Sequence, residues 1–421
     1  MTLNIQTDRT LVRTGGHSVR YVLLSFAAPE SPRASTREPI NVAFVIDRSG
    51  SMGGSKIKLA REAVVQALRM LDSRDRFSVV AYDEQIDVIV PSTLASSEAV
   101  RNAISQVEQL QARGSTDLGA GWLKGCEELA QHLQSGQVAR CLLLSDGLAN
   151  HGITDRGELA RHAEELRARG VTTSTIGVGA DFDEVTLEGM SRAGAGHFYY
   201  VETPVQIPDC LAGELGEALE IVARDVAVTV QTDDGVGVTT LNRFPVRQVS
   251  EGRMSVRLGD LASRQDVSIV FRLKFPNGQD GHTARAIFGV TDERGAIDER
   301  DTDVIWTFAD HRANDAQSRN VVVDRAVATL YAAQATAEAL ELNHAGRFKD
   351  ATARLEATAR RIEQYAGSDP ELRAIIASLR ERYEVYAQPM AALLSKSEHY
   401  GSMNIAMQRD NTGKARRRPT P

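Results

Sequence analysis

The chain of 421 residues has little cysteine. Cys126, Cys141 and Cys210 make an odd, scattered set without paired spacing. That excludes a disulfide framework and a cysteine-based zinc site, and it fits a reducing compartment. Long hydrophobic runs are also missing. The tract "YVLLSFAA" falls far short of the roughly 20 residues that a bilayer-spanning helix needs. The N-terminus shows no basic start followed by an apolar core, so it does not read as a signal peptide. Nor is there a positive field, since the formal net charge is −7. Neither a nucleic acid nor a membrane surface is therefore the expected partner. The expectation is a soluble, cytoplasmic protein. Two nucleotide-binding signatures are missing as well. In "SGSMGGSK" the lysine follows Ser55 where a phosphate loop needs glycine, and Ile57 stands where Ser or Thr belongs. No G-x-G-x-x-G follows the strand that leads into this stretch.

What is present divides the chain by pattern. Residues 1–35 read as two strands around Gly15-Gly16, "TLVRT" and "HSVRYVLLSF", followed by a linker rich in proline, serine and charge. Over 36–203, five short apolar runs alternate with amphipathic stretches: "NVAFVID", "RFSVVAYD", "RCLLLSDG", "TTSTIGVG" and "GHFYYV". Between the first two, Ile57, Ala60, Val64, Leu68 and Leu71 recur at helical spacing. This alternation predicts a doubly wound, Rossmann-like sheet with helices on both faces. Over 204–310 helical spacing gives way to β-branched and alternating runs, the pattern of an antiparallel β-sandwich. Five short strands make a thin sandwich, so the first strands of the chain are expected to pair into it. The α/β domain is then inserted in or next to that sandwich. Residues 311–400 read as a bundle of about three helices, with Gly346 as a break and Pro370 opening a helix. Residues 401–421 read as a disordered basic tail. The fold class is multidomain: α/β, then β, then α.

The chemistry gathers at strand ends. "FVIDRSGSM" places Asp47, Ser49 and Ser51 where the first α/β strand hands over to a helix. "RGSTDLGAG" places Thr116 in a loop before a helix, and "LLLSDG" places Asp146 at the end of a central strand. Ligands bind outside the carboxyl ends of strands in such sheets. Taken singly, Asp47 also reads as a helix cap, the serines as loop hydroxyls, Thr116 as an N-cap and Asp146 as a turn residue. Taken together they are five hard oxygen donors without histidine or cysteine. Such a set suits Mg²⁺, and the same donors admit Mn²⁺. The hydroxyls are neutral, so the ion keeps charge for one more anionic oxygen.

Asp47, Ser49 and Ser51 as D-x-S-x-S, then Thr116, then Asp146, resemble the metal-ion-dependent adhesion site of von Willebrand factor A domains. All five motif positions are present, and the likeness runs over about residues 40–203. The wider layout is similar to bacterial multidomain members and to inter-alpha-trypsin-inhibitor-like proteins. The resemblance implies an interaction module that is not an enzyme and that captures an Asp or Glu of a partner protein through the metal. It also implies the kind of partner: similar intracellular members act as adaptors beside AAA+ ATPases or kinase–phosphatase systems.

The surrounding residues read as ordinary. Asp117 is placed as the first helical residue, favouring the helix dipole. Lys56 and Lys58 read as solvated helix residues, His151 as a loop residue, Cys126 and Cys141 as small buried groups and Trp122 as core. Two rival functions remain: a structural oligomeric scaffold whose metal only stiffens loops, and phosphoryl transfer through Asp47. The second wants a nearby acid for the leaving group, and the position two residues on is Ser49, a poor general acid.

Overall fold

β-Branched and aromatic residues crowd the start of the chain, and they form strands that part company. This computed structural model describes residues 3–16, 18–31, 38–134, 137–293, 295, 297 and 301–417. Strands β1 (Asn4–Thr7), β2 (Leu11–Arg13) and β3 (Val19–Ala27) open the chain. The expected hairpin of "TLVRT" with "HSVRYVLLSF" does not form. β3 pairs with β1 instead, from Asn4↔Ser25 to Thr7↔Val22, and β2 joins a different sheet. The other edge of β3 is taken by residues 266–274, so β3 is an inner strand, buried along most of its length. Part of the expected linker, residues 32–37, lies outside the described residues.

The chain divides into two compact units: residues 31–221 with 412–414, and residues 1–30, 222–411 and 415–421. The first unit begins with β4 (Ile40–Asp47), α1 (Ser55–Met70), β5 (Arg76–Tyr82), β6 (Ile86–Leu94), α2 (Ser97–Val107) and α3 (Leu118–Ala130). It continues with β7 (Val138–Ser145), α4 (Arg156–Ala168), β8 (Val171–Val178), α5 (Glu184–Ala193), β9 (Ala195–Val201) and α6 (Ile207–Leu219). Its sheet runs β6-β5-β4-β7-β8-β9, parallel except for antiparallel β6. All eight residues of β4 and of β7 are buried, as continuous apolar strands between two helical layers must be. Helix α1 buries Ala60 together with Ile57, Val64 and Leu68, the last three each worth about 1.5–3 kcal/mol when removed from water.

Two elements depart from the sequence reading. β6 is half exposed and carries Pro91, which only an edge strand tolerates, so its apolar signal is weak. Helix α6 falls where strands were expected, and the α/β unit therefore runs past residue 203 to 221. Its pattern is obscured by Glu214 and Glu217, both buried.

The second unit adds β10 (Ile221–Thr232), β11 (Gly237–Thr240), β12 (Val246–Ser250), β13 (Arg253–Ala262), β14 (Asp266–Lys274), β15 (Thr283–Thr291) and β16 (Thr302–Ala309). These form two sheets with the N-terminal strands, ordered β1-β3-β14-β11 and β12-β13-β10-β15-β16-β2. One core joins Val22, Leu24 and Phe271 of the first sheet to Val228, Phe288 and Trp306 of the second. The helices are α7 (His311–Ala316), α8 (Val321–His344), α9 (Phe348–Ala366), α10 (Pro370–Glu381), α11 (Tyr383–Tyr386) and α12 (Ala392–Ala406), more than the three expected. Helix α8 packs Val323, Val327 and Leu330 on Tyr21, Leu23 and Val270, which covers the other face of the β3 sheet.

The expectation of a disordered tail over 401–421 needs correction. Residues 401–406 complete α12, burying Met403 and Ala406. Beyond it Arg409 is buried and bridges Ala415, while Arg417 bridges Gln265. The net basic composition hid these backbone pairings. Residues 418–421 lie outside the described residues. No described helix is long and apolar enough to cross a membrane.

Candidate metal centre

Strands β4 and β7 lie side by side in parallel, with Ile46 opposite Leu144. Their next residues, Asp47 and Ser145, therefore reach the same edge of the sheet. Asp47 is fully buried there. Its Oδ2 accepts from Ser145 Oγ at 2.8 Å, and its Oδ1 accepts from the Ser49 backbone N–H at 2.8 Å. Burial pushes the Asp47 carboxyl above its usual range; the Ser49 and Ser145 hydrogen bonds oppose this, and the charge of Asp146 adds to it.

Ser49 caps a short 3₁₀ turn, Gly50–Met52, by position only, since its side chain makes no capping bond. Its hydroxyl lies 3.0 Å from Ser51 Oγ. Ser51 Oγ donates to Asp146 Oδ1 at 2.7 Å, so its single proton is spent and Ser49 must donate to it. A chain of hydroxyls thus leads from the Asp47 loop to fully buried Asp146.

Thr116 arrives from the third loop. Gly50 N–H donates to Gly114 O at 3.0 Å and Arg113 N–H to Arg48 O at 2.7 Å, tying this loop to the Ser49 loop. The N-cap of α3 is Asp117, whose Oδ1 accepts from Ala120 N–H at 2.9 Å. Asp117 is therefore not the first helical residue, and the Thr116 hydroxyl is not used for capping. It makes no hydrogen bond among the described residues. It stands over Gly147, where a Cβ would lie 3.5 Å from Thr116 Oγ1 and 3.7 Å from Ser51 Oγ. Four of the five oxygen-bearing residues are thus linked by one hydrogen-bonded path, and the fifth faces them across a glycine.

Several neighbours escaped the sequence reading. Lys56, expected in solvent, turns inward to form an ion pair with Asp146 Oδ2. Lys58 does stay exposed, 4.0 Å from Glu62. Ser145 orients Asp47; its place before Asp146 was the available signal. Arg48 is buried and donates to Asp83 Oδ2 at 3.0 Å, where Arg113 also donates at 2.7 Å. Burial opposes the Asp83 charge, yet hydrogen bonds from Arg113, the Gln85 N–H and Arg48 outweigh it and hold the carboxyl below its usual range. His151 is exposed, with Nδ1 3.1 Å from Asp117 Oδ2.

The residues present fit a hard divalent ion: two buried carboxylates, three hydroxyls, and no nitrogen or sulfur donor among the five. A second cluster, His197, Glu214 and Glu217, brings three ligand atoms within 4.8 Å of one another. Glu214 there is already engaged by Arg140, by Tyr199 OH at 2.6 Å and by His197 Nδ1 at 2.9 Å. A guanidinium matches its charge, and the cluster serves to clasp α6 to the sheet.

A doubly wound sheet with D-x-S-x-S, Thr and Asp meeting at its carboxyl edge defines the class as a von Willebrand factor type A fold. A model of the von Willebrand factor type A domain matches residues 41–212. Those residues are such a domain. The Escherichia coli strain K12 protein YfbK, itself described as uncharacterized, is 27% identical over 273 residues, covering 63% of this chain and 47% of YfbK. Human inter-alpha-trypsin inhibitor heavy chain H4 is 31% identical over 172 residues, 39% of this chain and 18% of that one. The chain thus spans about half the length of the first relative and less than a fifth of the second. Among solved structures, a von Willebrand factor type A protein from Catenulispora acidiphila superposes with a TM-score of 0.71 at 19% identity, over 98% of this chain and 97% of that one. That likeness carries the fold of the whole chain.

Proposed function

We propose that this chain is a non-enzymatic interaction module. It holds Mg²⁺, or Mn²⁺, between Asp47, Ser49, Ser51, Thr116 and Asp146 and takes a carboxylate of a partner protein onto the ion. The observation that carries this reading is the path Ser49–Ser51–Asp146, which joins two strand-end loops around an all-oxygen donor set. When bound, a divalent ion offers the partner an electrophilic position that three neutral hydroxyls leave uncancelled. Asp47 and Asp146 supply the charge that retains the ion. Ser145 and the Ser49 N–H fix the Asp47 carboxylate in place, and Gly147 leaves room for the Thr116 and Ser51 hydroxyls.

Phosphoryl transfer is disfavoured by the same geometry. Both Asp47 oxygens accept hydrogen bonds and the side chain is fully buried, which is poor placement for an attacking nucleophile. We read the two β-sheets as a sandwich interrupted by the α/β domain. The three free cysteines fit a cytoplasmic setting. The type of partner, a protein presenting Asp or Glu within an AAA+ ATPase or kinase–phosphatase system, rests on the family resemblance alone.

Affinity capture of partners in Mg²⁺ and in chelator tests the reading. Partners that release on chelation support it. A partner set indifferent to chelation supports a scaffold whose ion only stiffens loops.

A further inference from the structure

Lys56 occupies an awkward place for a cation. It is the second residue of α1, where the helix dipole is positive and a lysine is disfavoured. Yet its side chain is three-quarters buried and its ammonium is paired with Asp146 Oδ2. The stem crosses the end of β8 at Gly179, where a Cβ would lie 3.8 Å from Nζ and 3.9 Å from Cε. Gly179 has φ +79°, a conformation that favours glycine. Asp146 is thereby divided. Oδ1 belongs to the hydroxyl chain through Ser51, and Oδ2 belongs to Lys56.

We propose that Lys56 is a tethered counter-ion that holds Asp146 when the divalent site is empty and competes with the divalent ion for that carboxylate. This rests on the metal reading above. Two fully buried carboxylates close to one edge repel each other, and burying them without a cation is costly. An ammonium on a flexible four-carbon stem supplies that cation without leaving the molecule. The same ammonium opposes a divalent ion placed on Asp146, because like charges a few ångströms apart repel in a poorly solvated setting. Lys56 therefore has to swing away as the ion enters. The apparent affinity is scaled down to the fraction of molecules in which Lys56 is unpaired. The lysine keeps the metal-free domain folded and sets the ion concentration at which it is loaded.

The test uses the whole chain of residues 1–421, with calorimetric binding of MgCl₂ and MnCl₂ and melting in excess chelator. Lys56→Met and Lys56→Gln remove the ammonium; the glutamine amide can still hydrogen-bond Asp146 if the methionine variant fails to fold. Lys58→Met, on the same helix and exposed, removes equal net charge as a control. The expected result is apparent ion affinity tighter by about tenfold in the Lys56 variants. Lys58→Met should match the wild type. In chelator the Lys56 variants should melt roughly 5 °C lower, and the ion should restore more stability to them than to the wild type. Lys56 variants that bind the ion no more tightly than the wild type overturn the proposal, as does an equal gain from Lys58→Met. If neither wild type nor variants bind either ion, the metal reading itself falls and takes this inference with it.

Discussion

Ser51 and Asp146 stand 95 residues apart in sequence and are joined by a hydrogen bond of 2.7 Å from Ser51 Oγ to Asp146 Oδ1. The bond closes the gap between the loop after β4 and the loop after β7. Neighbouring parallel strands make it possible, because their carboxyl ends are delivered to one edge.

Asp47→Ala removes one of the two carboxylates. Ion binding and ion-dependent partner capture should be lost, with far-UV circular dichroism unchanged. The vacated Ser145 hydroxyl and Ser49 N–H lose their acceptor, a cost of about 1–3 kcal/mol, partly offset because a buried charge also disappears. Calorimetry with Mg²⁺ checks the first part and chemical denaturation in chelator the second. An Asp47→Ala protein that binds ion and partner like the wild type contradicts the mechanism.

Gly147→Ala probes the space between Thr116 and Ser51. The added methyl would meet their hydroxyls at 3.5 and 3.7 Å, ordinary van der Waals contact, so the fold should tolerate it. It places an apolar methyl beside both hydroxyls. Ion affinity should fall by about tenfold while the melting point in chelator stays close to wild type. Equal affinities would show that this space is not needed.

Asp83 ties Arg48 and Arg113 beneath the site loops. Its carboxyl is held below the ordinary value of 3.8 because the hydrogen bonds from Arg113, Gln85 and Arg48 outweigh burial. A carboxylate with a depressed folded value adds stability that is complete above the unfolded value and is lost as pH falls through the folded one. Asp83→Asn should thus be less stable than wild type at pH 7. The difference should shrink below about pH 4, as protonation removes the same interaction from the wild type. Denaturant melts across this range check it, and a gap that stays constant in acid contradicts it.

Gly121 lets α3 approach β5. A Cβ there would fall 2.4 Å from Cγ of the fully buried Tyr82 ring. Alanine favours helices over glycine by about 1 kcal/mol, but overpacking a rigid ring costs about 1–3 kcal/mol or more. The clash should win, lowering the melting temperature by several degrees. A Gly121→Ala protein of raised stability would show that Tyr82 has room to move.

The sheet of the α/β unit was legible where strands are buried on both faces. "NVAFVID" and "RCLLLSDG" became β4 and β7 because nothing polar interrupts them. The places of Asp47, Ser49, Ser51, Thr116 and Asp146 were legible because each stands at a strand end or before a helix. β6 was not, since an exposed edge strand with a proline carries no clean alternation. Helix α6 was hidden by Glu214, whose burial depends on Arg140 and Tyr199 from strands far away in sequence. Lys56 misled for the same reason. Its helix position predicts solvent, while its partner Asp146 lies 90 residues away, in the loop after β7. Charged groups that pair across the fold cannot be separated from solvated ones by local pattern.

The most direct measurement is an anomalous difference map from crystals grown in millimolar MnCl₂. A single peak among Asp47, Ser49, Ser51, Thr116 and Asp146, with the Lys56 ammonium moved off Asp146, is the predicted result. Lys56 still seated on Asp146 with no peak among these five residues would contradict the account.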